Sequence, residues 1–177
     1  MRLSTPIETE RLRLRPFHVD GSDLEAMLDV LGDAASMRFY PAPFDRERTR
    51  AWIEGQLERY DRDGFGLLAV EDRHTGAVLG DCGPAVQDVD GRSFVELGWH
   101  VLASRQRQGI ATEAGAACRD AALASIDVPW LISLIRPENV PSRRVAEKLG
   151  FSVWRGTIRA GWGHLVYRLD RHASGSP

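Results

Sequence analysis

Cysteine and long apolar runs are scarce in this chain. Its 177 residues include two cysteines. The spacing of Cys82 and Cys118 fits neither a metal site nor a redox motif, so we expect two reduced, packed thiols and no metal. No apolar run approaches the roughly 20 residues of a transmembrane helix. Thr9-Glu10-Arg11 stands where a signal peptide would have its apolar segment. We therefore expect a cytoplasmic protein that has no membrane partner.

The chain also has no large excess of positive or negative charge. The formal net charge is −2 at pH 7, which gives no overall attraction for nucleic acid, so any anion site has to be a local arrangement. Hydrophobic residues make up 43% of the chain, which is enough for one core but, at this length, not for two domains. We predict a single domain over residues 1–172 and a disordered tail over residues 173–177.

Hydrophobic periodicity divides the chain into strands and helices. An aromatic segment at 36–44 contains Pro41 and Pro43, which exclude a helix. Such a loop either lines a ligand site or only packs, and the sequence favours neither role. Strands are predicted at 9–17, 65–71, 77–86, from 94 onward, 130–135, 151–159 and 163–169, and helices at 20–31, 45–60, 109–125 and 141–149.

One strand-turn-helix segment has the composition of a phosphate cradle. A half-buried strand from Phe94 runs through a basic turn into an alanine-rich helix that opens at Gly109. The first N–H groups of a helix lack partners and carry partial positive charge, which suits a phosphate or pyrophosphate. The pattern Gln106-x-x-Gly109-x-Ala111 adds small residues where an anion has to approach the backbone. Alone, this signal is weak, because an ordinary strand-to-helix connection has the same composition.

A second group of motifs follows the apolar run 131–135, which predicts a strand covered on both faces. The motifs of the whole chain are Glu10-Arg11-Leu12-Arg13-Leu14-Arg15-Pro16, Glu96-Leu97-Gly98-Trp99, Gln106-x-x-Gly109-x-Ala111-Thr112-Glu113-Ala114, and Asn139-x-x-Ser142 leading to Glu147-Lys148-Leu149-Gly150-Phe151. In this order they resemble the GCN5-related N-acetyltransferases (GNAT), in particular the branch that acetylates ribosomal-protein N-termini. The resemblance spans nearly the whole chain.

The resemblance implies an α/β fold of the α+β type and a co-substrate. The expected fold is a mixed, mostly antiparallel sheet of six to seven strands flanked by about four helices, with the fourth and fifth strands splayed around a bulge. Acetyl-coenzyme A (acetyl-CoA) enters the gap. Its pantetheine arm is expected on the backbone of Val101, Leu102 and Ala103. Its amide arm is expected near Asn139, although Asn139 is equally well explained as a helix cap. Its pyrophosphate is expected on Arg107, Gln108, Gly109, Ile110, Ala111 and Thr112.

Glu96 is the candidate catalytic base. Acetyl transfer requires a neutral amine, and α-amines titrate near ~8 and alkylamines near ~10. Among Val95, Leu97 and Trp99, desolvation is expected to raise the pKa of Glu96 into the range useful for taking a proton, through water. On alternation alone an outward glutamate is the better interpretation, and the family resemblance reverses it. A backbone amide near residues 99–101, freed by the bulge, is expected to stabilise the oxyanion.

Ser142 is the candidate for the leaving thiolate. Many family members place a Tyr in the helix after the fifth strand, but the corresponding residue here is Ala146. The resemblance to the ribosomal branch implies that Ser142 is the acid. Because a serine hydroxyl is a poor acid, it can instead hydrogen-bond the sulfur while water supplies the proton. Structural roles are expected for the residues that lack catalytic or metal-binding spacing, namely His18, His100, His164 and Cys118.

The favoured function is transfer of acetyl from acetyl-CoA to a primary amine by direct attack in a ternary complex. The acceptor is a protein N-terminus or a small-molecule amine, in a pocket formed by the 36–44 loop, Trp52 and the last hairpin with Trp162 and His164. A non-catalytic acetyl-CoA sensor or scaffold would dispense with Glu96. A dinucleotide-binding domain would need its glycine-rich turn after the first strand. The family contains monomers and homodimers, and both remain open.

Overall fold

Alternating leucines form the first long strand. In the computed structural model, which describes residues 2–171, Leu12 and Leu14 are fully buried while Arg11 and Arg13 are exposed. This is the period-two pattern of a strand with one wet face. The predicted tail lies outside the described residues, and the predicted domain bounds stay a prediction.

The strands are β1 (Ile7–Glu8), β2 (Leu12–Arg15), β3 (Leu68–Asp72), β4 (Val78–Val89), β5 (Arg92–Val101), β6 (Trp130–Ile135), β7 (Ser152–Arg159) and β8 (Trp162–Asp170). The helices are α1 (Leu24–Leu31), α2 (Arg46–Arg62), α3 (Ile110–Ser125) and α4 (Val140–Lys148), and a 3₁₀ turn covers Ala103–Arg105. Helix α1 begins later than predicted, since the Asp20 carboxylate accepts the Ser22 N–H at 2.9 Å in a preceding turn. None of the helices within residues 2–171 has the length and apolarity of a membrane span.

One sheet contains all these strands, in the order β1-β2-β3-β4-β5-β6-β8-β7. Every described pair is antiparallel except β5–β6, which is parallel. The predicted mixed, mostly antiparallel sheet with four helices is therefore confirmed. The sheet has one strand more than predicted, because the two-residue β1 pairs with β2 ahead of the strand that periodicity identifies first. The predicted fourth and fifth strands are thus β5 and β6.

Helices pack on both faces of the sheet. Cys118 and Ala122 of α3 are fully buried against one face, and Met27 of α1 and Ile53 of α2 pack on the other. Helix α3 lies close to its neighbours, since a Cβ at Gly115 would come within 2.7 Å of the Leu149 side chain. This close packing holds α3 against the C-terminal end of α4.

Strands β5 and β6 separate after a single residue pair. Within residues 2–171 they pair only at Glu96 and Ile132, whereas β5 pairs with β4 over ten consecutive positions. Leu134 of β6 donates its N–H to the Glu96 carboxylate, at 3.0 Å, instead of to the β5 main chain. The predicted splay is therefore confirmed. The predicted bulge is wrong for β5, which keeps an unbroken register with β4. The edge of β5 after Glu96 is open because β6 diverges.

A buried ion pair holds α1 against β2 and β3. The Arg15 guanidinium meets the two Asp23 carboxylate oxygens at 2.8 and 2.9 Å and Glu71 at 2.7 Å. The Arg15 and Asp23 side chains are only 12% and 4% exposed. Burial opposes ionisation of Asp23, but the hydrogen bonds from Arg15 and from the His18 amide hold its pKa below the ordinary value. The pair is therefore charged at neutral pH.

Replacing Asp23 by Ala should lower the free energy of unfolding by about 3 kcal/mol, because it leaves the Arg15 charge buried without its main partner. Urea denaturation at pH 7 measures the loss.

Because the pKa of Asp23 is lowered in the folded state, the stabilisation by the ion pair is present above pH ~4 and is lost as the pH falls through the folded pKa. The control is Glu25→Ala, which removes an exposed ion pair with Arg46 and should cost less than about 1 kcal/mol. Equal losses in both variants would contradict the assignment.

Candidate active site

The turn before α3 presents a row of backbone amides to one side. Gly109 precedes the helix in the left-handed conformation, with φ 83°, and the first helical hydrogen bond runs from Glu113 N–H to its carbonyl at 2.9 Å. The N–H groups of residues 110–112 therefore lie ahead of the helical ladder, at the positive end of the helix dipole. Arg107 is also left-handed, with φ 62°. Turns of this kind form concave nests of N–H groups that bind anions.

Two motifs about a hundred positions apart hold this turn in place. Arg11 donates its backbone N–H and its guanidinium to the two Glu113 carboxylate oxygens, at 3.0 and 2.7 Å, and Thr9 donates its hydroxyl to Glu113 at 2.5 Å. Arg11 also reaches the Gln108 carbonyl at 3.1 Å. Burial acts against ionisation of Glu113, but the bonds from Thr9 and Arg11 hold its pKa below the ordinary value. The carboxylate is thus ionised and neutralised, so that it does not repel an anion at the turn.

A cavity of about 660 Å³ runs from this turn to α4 and to the loop between α1 and α2. That volume is in the range of small-molecule and cofactor sites. Eight of the predicted site residues line it, namely Val101, Arg107, Gly109, Ile110, Ala111, Thr112, Asn139 and Ser142. Leu102, Ala103 and Gln108 lie in the same connection without lining the cavity as the structure describes it. Their predicted roles stay predictions.

Positive charge is concentrated on this cavity, although the whole chain is slightly acidic. Arg105, Arg107, Arg144 and Lys148 all line it. Arg144 and Lys148 are four residues apart, on one face of α4. This arrangement gives the cavity a local positive charge that composition alone does not indicate. The periodicity of α4 was a signal that could have identified the pair.

Helix α4 brings Asn139 and Ser142 to the cavity wall. Asn139 caps the helix, because its side-chain oxygen accepts the Ser142 N–H at 3.2 Å. This establishes the capping role, and the side-chain nitrogen of Asn139 can still donate to a ligand. Ala146 is fully buried in the core. Helix α4 therefore places no phenol at the position where many family members have one.

Glu96 lies at the point where β5 and β6 separate. It is half-buried and accepts the Leu134 N–H at 3.0 Å. Burial raises the pKa of its carboxyl, and the Leu134 amide and the charges of Arg159 and His100 offset part of the effect. The predicted direction of the shift is confirmed. A carboxylate of this kind accepts a proton more readily than an exposed glutamate does.

Glu96 is not among the lining residues of the cavity as described, whereas a second polar network, centred on His100, borders that cavity. His100 Nδ1 lies 2.7 Å from Asp81 Oδ1, and its Nε2 lies 2.8 Å from the Tyr40 hydroxyl. Trp52 donates its indole N–H to Asp81 Oδ2 at 2.8 Å. Sequence reasoning gave His100 only a structural role, since its partners come from distant parts of the chain.

The predicted acceptor pocket is only partly assembled in this cavity. Residues 36–40 of the aromatic loop line it, and Trp52 packs edge-on against His100 with ring centroids 5.6 Å apart. Trp162 and His164 are not among the lining residues of the cavity as described. Instead, the Arg136 guanidinium stacks 3.8 Å from the Trp162 ring centre. The loop therefore lines the cavity, and its role and that of the last hairpin in acceptor binding stay predictions.

Known proteins share this architecture. The sequence profile described as Acetyltransferase (GNAT) domain matches residues 11–152. The chain belongs to this family. The protein YkkB of Bacillus subtilis (strain 168) is 31% identical to this GNAT protein over 172 residues, which are 97% of this chain and 98% of YkkB.

Two solved structures have a similar fold. The acetyltransferase from Agrobacterium tumefaciens str. C58 is 29% identical, with a TM-score of 0.78 and 96% of each chain covered. Mycobacterium smegmatis RimJ, in complex with CoA-disulfide, is 21% identical, with a TM-score of 0.70, covering 93% of this chain and 84% of RimJ. The second likeness is one of fold. Together with the family match, these relatives confirm the resemblance to the GNAT family, and the GNAT protein is an acyltransferase. The ribosomal branch stays a prediction.

In this GNAT protein, Glu96→Gln should stabilise the fold at high pH and not at low pH. Because the folded pKa of Glu96 lies above its unfolded value, ionising it costs stability as the pH rises from about 4.5 through the folded pKa. A glutamine does not titrate, and its oxygen can still accept the Leu134 N–H. Urea denaturation at pH 4 and pH 8 should show a gain for Glu96→Gln only at pH 8.

The control for this prediction is Glu54→Gln, which changes an exposed glutamate on α2. Its free energy of unfolding should follow the wild type at both pH values. If Glu96→Gln also follows the wild type at both pH values, the Glu96 carboxyl is not desolvated in the folded protein.

Proposed function

We propose that this enzyme transfers an acetyl group from acetyl-CoA to a primary amine, either a protein N-terminus or a small-molecule amine, by direct attack in a ternary complex. One observation carries the proposal. The open edge of β5 and the unpaired amides at the start of α3 face a single cavity. A long, polar, phosphate-bearing ligand fits these two features together, because β6 does not pair with β5 beyond Glu96 and the first amides of α3 precede its helical hydrogen bonds.

Acetyl-CoA, as co-substrate, supplies the thioester. Its pantetheine arm is proposed to bond to the main chain at Val101, Leu102 and Ala103, and its pyrophosphate to rest on the turn from Arg107 to Thr112. Arg144 and Lys148 stand across the cavity, where they can neutralise further phosphate charge. The side-chain nitrogen of Asn139 is proposed to reach the amide arm. The CoA-disulfide bound to the RimJ relative supports the same ligand class here.

Glu96 is proposed to take the proton that the attacking amine loses, directly or through one water. Its raised pKa suits that role. As the C–N bond forms, negative charge develops on the thioester oxygen, and the β5 amides at 99–101 are proposed to stabilise it. The C–S bond then breaks. Ser142 is proposed to hydrogen-bond the departing sulfur, because its hydroxyl is too weak an acid to supply the proton itself.

We propose that the enzyme is located in the cytoplasm. Cys82 and Cys118 are both free and buried, and their sulfurs lie on facing elements, with Cys118 Sγ 3.6 Å from the Cys82 carbonyl. Unpaired thiols of this kind suit a reducing compartment. Acetyl-CoA and the amine acceptor are the proposed partners, and the acceptor sets the biological role.

A thiol-release assay tests the proposed function. Purified enzyme is incubated with acetyl-CoA and a panel of N-terminal peptides, aminoglycosides and polyamines, and free CoA is measured. Turnover is expected on one class of amine. On that acceptor, Glu96→Gln should lower kcat by about 10²-fold or more and remove the acidic limb of the pH profile, since a general base contributes 10²–10⁴. The exposed Glu54→Gln variant should match the wild type.

Acetyl-CoA binding without turnover on any class would support a sensor or scaffold instead of an enzyme. An unchanged kcat and pH profile in Glu96→Gln would remove Glu96 as the base.

Gly109→Val should weaken acetyl-CoA binding at least tenfold, or about 1.4 kcal/mol. The change strains residue 109, whose backbone is left-handed, and its Cβ would lie 3.3 Å from the guanidinium of Arg11. The matched control is Gly76→Val in the β3–β4 turn. Gly76 is left-handed too, with φ 71°, and nothing lies within 4 Å of its added Cβ. Calorimetry should find wild-type affinity in the Gly76 variant. Equal affinities in both variants would place the phosphates elsewhere.

A further inference from the structure

Three polar side chains from separate parts of the fold form one hydrogen-bonded line. Tyr40 comes from the loop between α1 and α2, His100 from β5 and Asp81 from β4. The hydroxyl-to-imidazole distance is 2.8 Å and the imidazole-to-carboxylate distance is 2.7 Å. The Asp81 residue is fully buried, and the His100 side chain is only 12% exposed. Such a line exists only in the folded chain.

The hydrogen-bond inventory fixes where the protons lie. The indole N–H of Trp52 can only donate, so Asp81 Oδ2 accepts it at 2.8 Å. The other oxygen, Oδ1, is then the acceptor for His100 Nδ1, which therefore carries a proton. With Nδ1 protonated, Nε2 either accepts the Tyr40 O–H in the neutral ring or donates to the Tyr40 oxygen in the cation. Asp81 thus sets the imidazole tautomer.

The surroundings of His100 favour its cationic form. Burial opposes protonation, but the charge and hydrogen bond of Asp81, and then the charge of Glu96, raise the pKa of His100 above the ordinary value. The groups that face it are Asp81 from β4, Glu96 from its own strand, Tyr40 from the loop, and the uncharged Trp52 from α2. In the cation both ring nitrogens donate, so the Tyr40 oxygen accepts from Nε2. The Tyr40 O–H is then left to donate to a ligand.

The line ends at the cavity in which acetyl-CoA is proposed to bind. Tyr40 and His100 line the same cavity as Ser142 and the opening of α3. Helix α4 offers no phenol, because Ala146 is buried in the core. Burial, and then the charges of Glu96 and Asp81, raise the pKa of the Tyr40 phenol above its ordinary value, so Tyr40 stays protonated at working pH. Tyr40 is therefore the phenol that the described cavity presents.

We propose that Tyr40 is the catalytic acid that protonates the departing thiolate, with His100 returning a proton to Tyr40 and Asp81 positioning His100. The proposal rests on the proposed acetyl transfer. As the C–S bond breaks, its electron pair stays on sulfur and takes the Tyr40 proton. The Nε2 proton of His100 moves to the Tyr40 oxygen. Glu96 holds the proton lost by the amine, and exchange with solvent restores both Glu96 and His100 to their starting states.

The test uses Tyr40→Phe in the full-length enzyme, with the acceptor found in the thiol-release assay. The variant keeps the ring and removes only the hydroxyl. We expect kcat to fall at least about tenfold, in line with loss of a general acid, while calorimetry finds acetyl-CoA affinity within about twofold of wild type. The matched control is Tyr60→Phe. Tyr60 lies on α2, donates its hydroxyl to the Leu67 carbonyl and does not line the cavity. Loss of its hydroxyl should therefore leave kcat unchanged.

The pH profile separates a proton relay from a structural role. Wild-type kcat should fall at alkaline pH as His100 loses its proton, and this limb should be absent in Tyr40→Phe and in His100→Asn. Asp81→Asn should move the limb to lower pH, because the negative charge that favours the cation is gone. His74→Asn, in the exposed β3–β4 turn, should keep the wild-type profile. Circular dichroism confirms that each variant is folded.

The outcomes also distinguish the two proposals. If the wild type turns over and Tyr40→Phe retains kcat within about twofold, the relay is overturned and acetyl transfer stands. An alkaline limb that persists unchanged in His100→Asn likewise overturns the relay alone. If the wild type releases CoA with no amine at all, the proposed transfer is overturned, and the relay with it.

Discussion

The separation of β5 from β6 is the constraint on which the rest of this structure depends. Two parallel strands that pair at one position only, Glu96 with Ile132, leave main-chain groups in the middle of a sheet without strand partners. Buried backbone groups without partners are costly, so they must be satisfied by side chains, water or ligand. Glu96 satisfies the first of them by accepting the Leu134 N–H. The groups beyond it face the cavity.

The elements around the gap keep it open and give it charge. On its other edge β5 is paired with β4 without interruption, so β5 stays anchored in the sheet while β6 diverges from it. The Arg11–Glu113 contact ties the start of the sheet to the first turn of α3, and this contact explains why two motifs so far apart in the chain belong together. The same contact removes a negative charge from the place where phosphates are proposed to bind. The Arg11–Glu113 contact therefore both positions the turn and favours the binding of an anion there.

Local signals predicted most of the fold and the strand-turn-helix segment that lines part of the cavity. The turn from Gln106 to Thr112 could be predicted from its glycine and its position between a strand and a helix, because a row of free backbone amides depends on backbone geometry that few residues determine. Asn139 was harder, since capping and ligand binding select the same side chain. The two-residue β1 carries too little periodicity to be found from the sequence.

The hydrogen-bonded line of Tyr40, His100 and Asp81 could not be predicted from the sequence. Tyr40, Asp81 and His100 lie on a loop and two strands, and only the β4–β5 register and the packing of α2 bring them together. No local spacing encodes such a contact. The bulge inferred from the family resemblance failed for a related reason: the open edge of β5 results from the path taken by β6, which the sequence of β5 does not specify.

The central claim is that the gap between β5 and β6 is a binding site for acetyl-CoA, and amide hydrogen exchange with and without acetyl-CoA tests it most directly. The account predicts slower exchange on binding for the amides of residues 97–101 that face β6 and for those of residues 110–112, with the β2–β3 pair unchanged. Unchanged exchange at both segments under saturating acetyl-CoA, or protection confined to another part of the chain, would contradict it.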